Sequence, residues 1–283
     1  MSSPYPLASR EQNPEDAVVQ VADLSLGASP FVVIAGPCSV EDEASFLRVA
    51  AAVRTAGAHM LRGGAFKPRT SPYSFQGLGK EGLRILALAK RQTGLPVVTE
   101  ILDPRDVEEV AAVADVLQVG ARNMQNFPLL KELGRARRPV LLKRGLAATL
   151  EEWLLAAEYI LSSGNEAVIL CERGQRLLGE TGRCGFDVGA IPTVRELSRL
   201  PVFVDPSHAA GARRRVGALA RAAAAAGAHG LLIEVHEQPE KALSDADQSL
   251  SIEDFQSLMT ELSALTRALG RRLAGCQAFT DFP

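Results

Sequence analysis

From Phe31 onward the chain repeats one cadence: a short apolar run rich in β-branched residues, a loop of Gly, Pro and charged residues, then a stretch of Ala, Leu, Glu and Arg. The apolar runs predict strands at Phe31–Ala35, His59–Arg62, Val97–Glu100, Val116–Val119, Val140–Lys143, Ala167–Cys171, Val202–Asp205 and Gly230–Val235. Helical patterns lie between them at Glu43–Ala56, Gly79–Gln92, Pro104–Val113, Phe127–Arg135, Leu150–Ser162, Pro192–Ser198 and Arg213–Ala226, and a last one covers Ile252–Leu269. Strands that are apolar throughout are buried on both faces, which implies parallel pairing under a layer of helices. Eight such units close a single (β/α)8 TIM barrel. An open doubly wound sheet is the alternative, but no GxGxxG or GxxxxGK[ST] loop follows the first strand.

Ahead of the barrel, Val18–Leu26 alternates enough to form a short strand or hairpin capping the barrel base. Residues 1–16 are polar and proline-bearing and are expected to be a flexible segment; residues 17–270 form the barrel and 271–283 a C-terminal tail. A length of 283 residues suits one barrel of this class. Hydrophobic residues make up 47% and charged residues 23%, ordinary for a globular protein with a full core. A net charge of -2 provides no global field for nucleic acid or an anionic membrane, so any anion site must be local. With no leader-like start and no apolar run approaching the roughly 20 residues of a membrane span, a cytoplasmic location without membrane contact is expected. Cys38, Cys171, Cys184 and Cys276 are too dispersed for a disulfide framework.

The candidate chemistry collects at strand ends. There stand Cys38; Arg62 with Lys67 and Arg69; Glu100; Arg122; Lys143 with Arg144; Glu172 with Arg173; Asp205 with His208; and Glu234 with His236. In a barrel the carboxyl ends of the strands share one face, where active sites sit. Five successive ends carry Arg or Lys beside few matching acids, more than turn formation requires. The loop Leu61–Tyr73 is the densest of these, with three cations among glycines and prolines, a composition suited to a small polyanion. Cys38, His208, Glu234 and Asp245 form no local metal motif, but a barrel could assemble them. A thiolate, an imidazole and two carboxylates suit Mn, Fe, Co or Zn better than Mg or Ca. Arg62, Lys67, Arg122, Lys143 and Arg173 around one pocket imply a substrate bearing a carboxylate and a phosphate.

The segments GPCS (36–39), LRGGAFKPRTSPYSFQG (61–77), VTEI (98–101), QVGARNMQNF (118–127), LLKRG (141–145), ERG (172–174), DPSHAAG (205–211) and EVHEQPEKALSD (234–245) closely resemble 3-deoxy-D-arabino-heptulosonate 7-phosphate (DAHP) synthase, in its type I beta branch. The resemblance runs from about Val18 to about Leu265. It implies condensation of phosphoenolpyruvate with erythrose 4-phosphate, the entry to the shikimate pathway. It also implies that Cys38, His208, Glu234 and Asp245 bind a divalent metal that polarises the aldehyde. By the same resemblance Arg62 and Lys67 hold the phosphoenolpyruvate carboxylate side, with Arg122, Lys143 and Arg173 around its phosphate. Arg69 and Thr70 take the phosphate of the aldose, which Asp205 helps to orient. Lys67 and Glu100 are candidates for the proton steps, and relatives suggest a homodimer or homotetramer.

One stretch departs from the pattern. Relatives read RGIRTFE and then TRNTLD where this chain has RGQRLLGETGRCGFD over Arg173–Asp187; Arg183 and Asp187 keep the frame, but Cys184 and Gly185 replace polar residues. The change bears on loop order and aldose preference. The neighbouring alternative is 3-deoxy-8-phosphooctulonate synthase, which takes arabinose 5-phosphate and reads KANRSS where this chain reads KPRTSP. A non-catalytic barrel acting as a pathway partner is the alternative from another class. The stretch before the first barrel strand is too short for an attached regulatory domain.

Overall fold

The computed structural model describes residues 3–176 and 184–275. Eight parallel strands form a closed barrel: β3 (Val32–Gly36), β4 (Met60–Arg62), β5 (Val97–Ile101), β6 (Val116–Val119), β7 (Val140–Lys143), β8 (Val168–Glu172), β9 (Val202–Val204) and β10 (Gly230–Glu234), with β10 pairing back onto β3. They follow a hairpin, β1 (Val19–Val21) and β2 (Leu24–Leu26). The helices are α1 (Glu43–Thr55), α2 (Lys80–Thr93), α3 (Val107–Val113), α4 (Phe127–Arg135), α5 (Leu150–Ser162), α6 (Ala190–Leu197), α7 (Pro206–Ala210), α8 (Arg213–Ala225) and α9 (Ile252–Ala268).

Successive side chains of a strand point to opposite faces, and the barrel sorts them into two cores. Val32, Ile34, Met60, Val98, Val116, Leu141, Ile169, Cys171, Phe203 and Leu232 fill the interior. Val33, Ala35, Leu61, Val97, Leu117, Leu142, Leu170 and Ile233 face the helices. The hairpin contributes Val19, Val21 and Leu26 to the interior set and plugs the base, as its alternation predicts. Helix starts are fixed locally: Asp42 caps α1, Thr149 and Glu152 form a capping box on α5, and Ser251 caps α9.

Three sequence expectations need correction. Residues 1–16 do not read as loose over their described part: Glu158 accepts from the Leu7 and Ala8 amides at 2.9 and 3.0 Å, and Ser9 bridges Ser198. The acceptors on α5 and near α6 that hold this backbone cannot be seen in its own composition. The helix expected from Pro192 begins at Ala190, since proline is tolerated in a first turn whose N–H groups have no intrahelical partner. The short α7 was not anticipated; its start is set by Asp205, whose side chain accepts from His208 N at 2.9 Å. The tail, expected to begin at 271, is attached as far as it is described: Leu273 bridges Phe31, and the Ala274 carbonyl meets His59 Nε2 at 2.8 Å. Cys276 lies outside the described residues, as does Arg183.

Candidate active site

Strand parity decides which terminal charges face inward. Two residues beyond interior Met60 stands Arg62; beyond Val98, Glu100; beyond Val116, Gln118; beyond Leu141, Lys143; beyond Cys171, Arg173; beyond Phe203, Asp205; beyond Leu232, Glu234. Arg144 and Glu172 have the opposite parity and pair with each other at 2.8 Å behind the barrel wall, where Arg144 also reaches Asp187 at 3.2 Å. Their place at strand ends is therefore structural. His236 also leaves the site, lying 3.7 Å from Glu41.

Arg62, Lys67, Arg69, Thr70, Glu100, Arg122, Lys143, Arg173, His208 and Asp245 line one cavity of about 300 Å³ at this face. Gln118 lines it too and was not singled out, although its alternation with Val116 carries the signal. Gly120, the residue after β6, packs so closely on Glu100 that a Cβ there would lie 1.9 Å from Oε1.

Beside the cavity, ligand atoms of Cys38, His208, Glu234 and Asp245 lie within 4.8 Å of one another. The Cys38 thiol donates to Asp245 Oδ2 at 2.9 Å, and His208 Nε2 is 3.7 Å from the same oxygen. Buried Glu234 Oε1 accepts no hydrogen bond, although Arg62 Nη2 lies 3.2 Å away. An acceptor left so is costly unless a cation takes it, and a sulfur, an imidazole and two carboxylates are a donor set for a divalent transition ion. Burial and Glu234 push the Cys38 thiol up, with Lys67 Nζ at 3.0 Å from the sulfur pulling the other way. Burial lowers His208, outweighing Asp205 and Glu234, and so favours the neutral imidazole that ligation needs.

Around these four sits a supporting layer. His208 Nδ1 is held by Asp205 Oδ2 at 2.7 Å, which turns Nε2 toward Asp245. Gln248 donates to Glu234 Oε2 at 2.5 Å. Ser39 Oγ meets Ser244 Oγ at 2.6 Å, and Glu41 accepts from Leu243 N at 2.9 Å, so the loop after β3 clasps the loop that carries Asp245. Asp245 itself adopts φ 54, a left-handed conformation that Asp tolerates better than most residues. Ser39, Glu41, Ser244 and Gln248 had no sequence signal, because their partners are remote in the chain.

Asp205 departs from its expected role. It is fully buried, absent from the cavity wall, and bound to Lys143 at 2.5 Å and to His208. Burial opposes its charge, but His208, Lys143 and Arg62 hold the carboxyl well below the usual range. Its contacts are therefore to Lys143, His208 and Arg62 rather than to the cavity. The expected surplus of cations is also smaller than the strand ends imply, since Lys143 and Arg62 face Asp205 and Glu234, and Lys67 Nζ lies 4.0 Å from Glu100. Among the described residues no carboxylate comes within ion-pair distance of Arg69, Arg122 or Arg173. The variant loop bears on one of these: Gln175 and Gly185 form a bridge that places Cys184 Sγ 3.0 Å from Arg173 Nη1.

Comparison with known proteins agrees with this geometry. The model of the DAHP synthetase I family matches residues 15–269. A Thermotoga maritima protein named phospho-2-dehydro-3-deoxyheptonate aldolase is 52% identical over 267 residues, 94% of this chain and 79% of the relative. A Geobacter sulfurreducens 2-dehydro-3-deoxyphosphooctonate aldolase is 37% identical over 257 residues, 84% of this chain and 93% of that one. The crystal structure of the Thermotoga maritima DAHP synthase superposes with a TM-score of 0.93 at 50% identity, covering 96% of this chain and 80% of that chain. The parity-selected ring of charges, the four convergent ligand atoms and these matches agree: the chain belongs to the DAHP synthetase I family.

Proposed function

We propose that this chain condenses phosphoenolpyruvate with D-erythrose 4-phosphate and water to give 3-deoxy-D-arabino-heptulosonate 7-phosphate and phosphate. The observation that carries this reading is the one cavity lined by Arg69, Thr70, Arg122 and Arg173 together with His208 and Asp245. Two phosphorylated substrates repel each other, and arginines that meet no carboxylate among the described residues can hold both anions in one cavity.

Arg122 and Arg173 bind the phosphate of phosphoenolpyruvate, with Arg62, Lys67 and Lys143 toward its carboxylate and phosphate edges. Arg69 and Thr70 bind the phosphate of the aldose. In this pose the enol carbon attacks the aldehyde carbon, water adds at C2, and phosphate departs by C–O cleavage. Lys67 Nζ, between Cys38 Sγ at 3.0 Å and Glu100 Oε2 at 4.0 Å, and Glu100 itself are placed to hold and move protons. Cys38, His208, Glu234 and Asp245 would hold a divalent ion of the Mn, Fe, Co or Zn type, which supplies Lewis-acid polarisation of a carbonyl oxygen. Such a barrel works as a homodimer or homotetramer.

Phosphate release from phosphoenolpyruvate, measured with erythrose 4-phosphate and with arabinose 5-phosphate, with Mn and with chelator, tests the reading. Turnover is expected with erythrose 4-phosphate and metal only. Preference for the pentose phosphate would move the chain to the octonate branch, and no turnover with either sugar after metal addition would remove the enzymatic reading.

A further inference from the structure

At the opposite end of the barrel, a cavity of about 430 Å³ opens between the start of β3, the start of β10 and the end of α8. Its wall holds two guanidinium groups and an imidazole. Arg271 is fixed: Nε donates to Ser29 O at 3.2 Å, Nη1 to Ala228 O at 2.6 Å, and the group lies 5.3 Å over the Phe31 ring. Its remaining nitrogen, Nη2, is buried and has no hydrogen-bond partner. Arg195 Nη1 donates to Gly227 O at 3.0 Å. His229 Nδ1 accepts from Val202 N at 2.9 Å, which leaves the ring proton on Nε2.

These groups are held together against their mutual repulsion. Burial and the neighbouring Arg195 lower Arg271, and burial with Arg195 and Arg271 pushes His229 down to about 4. Among the described residues no carboxylate lies within ion-pair distance of Arg195 or Arg271. The carboxylate that lines the cavity, Asp16, is bound by Arg10, although Arg195 and His229 also feel its charge. Two arginines facing one cavity, one with an unclaimed buried N–H pair and both beside a neutral imidazole donor, form an oxyanion receptor.

We propose that the amino-terminal face of this barrel carries an oxyanion-binding site formed by Arg195, Arg271 and His229, taking a small phosphate or carboxylate. It lies at the far end of the barrel from the catalytic cavity and shares no residue with it. Arg195 and Arg271 supply the charged donors, and His229 Nε2 adds a neutral one. The bound anion relieves the repulsion between the arginines and ties the segment after α9 to the barrel base.

The test uses the metal-loaded full chain with labelled histidine rings, titrated at neutral pH with inorganic phosphate or acetate against chloride at matched ionic strength. The sequence has 4 histidines, so the His229 ring can be assigned from its loss in His229→Gln. Because this signal is local, phosphate binding in the catalytic cavity does not mimic it. A saturable shift of the His229 ring, with an upward shift in its titration, is expected. Arg271→Gln and Arg195→Gln should each weaken it by about tenfold or more while retaining phosphoenolpyruvate turnover. Should Arg271→Gln not fold, Arg271→Lys keeps the charge, loses the fork and should still weaken binding. A response to phosphate alone assigns a phosphate site, and a response to acetate as well assigns a general oxyanion site. No saturable shift with either anion, or a shift that persists in the arginine variants, overturns the proposal.

Discussion

Replacing Gly120 by alanine should disable the site without altering a charged group. Gly120 has φ -67 and ψ 156, a conformation open to any residue, so backbone strain contributes nothing. The effect is steric: an added Cβ would sit 1.9 Å from Glu100 Oε1 and 3.0 Å from its Cδ. Non-bonded carbon and oxygen need more than about 3 Å, so the carboxylate must retreat by roughly 1 Å. Glu100 is buried in the cavity wall, with Lys67 Nζ 4.0 Å from Oε2, so the retreat shifts the carboxylate relative to that lysine. In the proton-moving role proposed for Glu100, a displacement of that size should cost about 100-fold in rate, equivalent to about 2.7 kcal/mol of barrier. An off-rotamer Glu100 should cost about 0.5–1.5 kcal/mol of stability. Steady-state phosphate release gives the first quantity and thermal unfolding the second. In a Glu100→Ala background the added methyl meets no carboxylate, so Gly120→Ala should then cost little more. A kcat within about twofold of the parent, or a further loss in the Glu100→Ala background as large as in the parent, would refute the steric coupling between these residues.

Three further perturbations separate the roles of neighbouring groups. Cys38→Ser should weaken metal binding by more than the roughly 10–100-fold typical of losing an outer partner, read from metal content after dialysis; because burial and Glu234 keep the free thiol protonated, binding releases a proton and wild-type affinity should rise with pH, a dependence the serine variant should lose. Asp205→Asn leaves Lys143 without its anion and should destabilise by about 3–5 kcal/mol in denaturant titration. The depressed carboxyl of Asp205 gives stability that is present above its unfolded value of 3.8 and lost as pH falls through the lower folded value, so wild type and variant should converge in strong acid. Arg144→Met should lower Tm but leave KM for phosphoenolpyruvate unchanged, whereas Arg122→Met should raise KM with little change in Tm; the reverse pattern would mean that strand parity had been misread.

Much of this protein is legible in its sequence because barrel strands are short, apolar on both faces and separated by helices with local caps. Val116–Val119, Val140–Lys143, Phe127–Arg135 and Leu150–Ser162 have the bounds that their patterns predict. Most residues that line the cavity are legible for a related reason: charges that interrupt such runs at their carboxyl ends have one shared face to occupy. The resemblance in motifs such as KPRTSPY also covers most of the chain, and the family match extends over residues 15–269. The short α7 leaves no periodic signal in the sequence because a five-residue helix has too few positions to show one.

What the sequence alone determined was thus the number and order of the units, the fold, and the set of residue types available for chemistry. Only tertiary structure decided which of these act together. Closure of β10 onto β3 brings Cys38 to Asp245 across 207 positions, a proximity that no local pattern encodes. Adjacent charges such as Lys143 and Arg144 are equivalent in composition, yet the side-chain period of two sends one into the cavity and the other behind the wall. Asp205 and Glu234 pair with inward cations, whereas among the described residues Arg69, Arg122 and Arg173 meet no carboxylate, a division that only the packing of strand ends from distant parts of the chain could set.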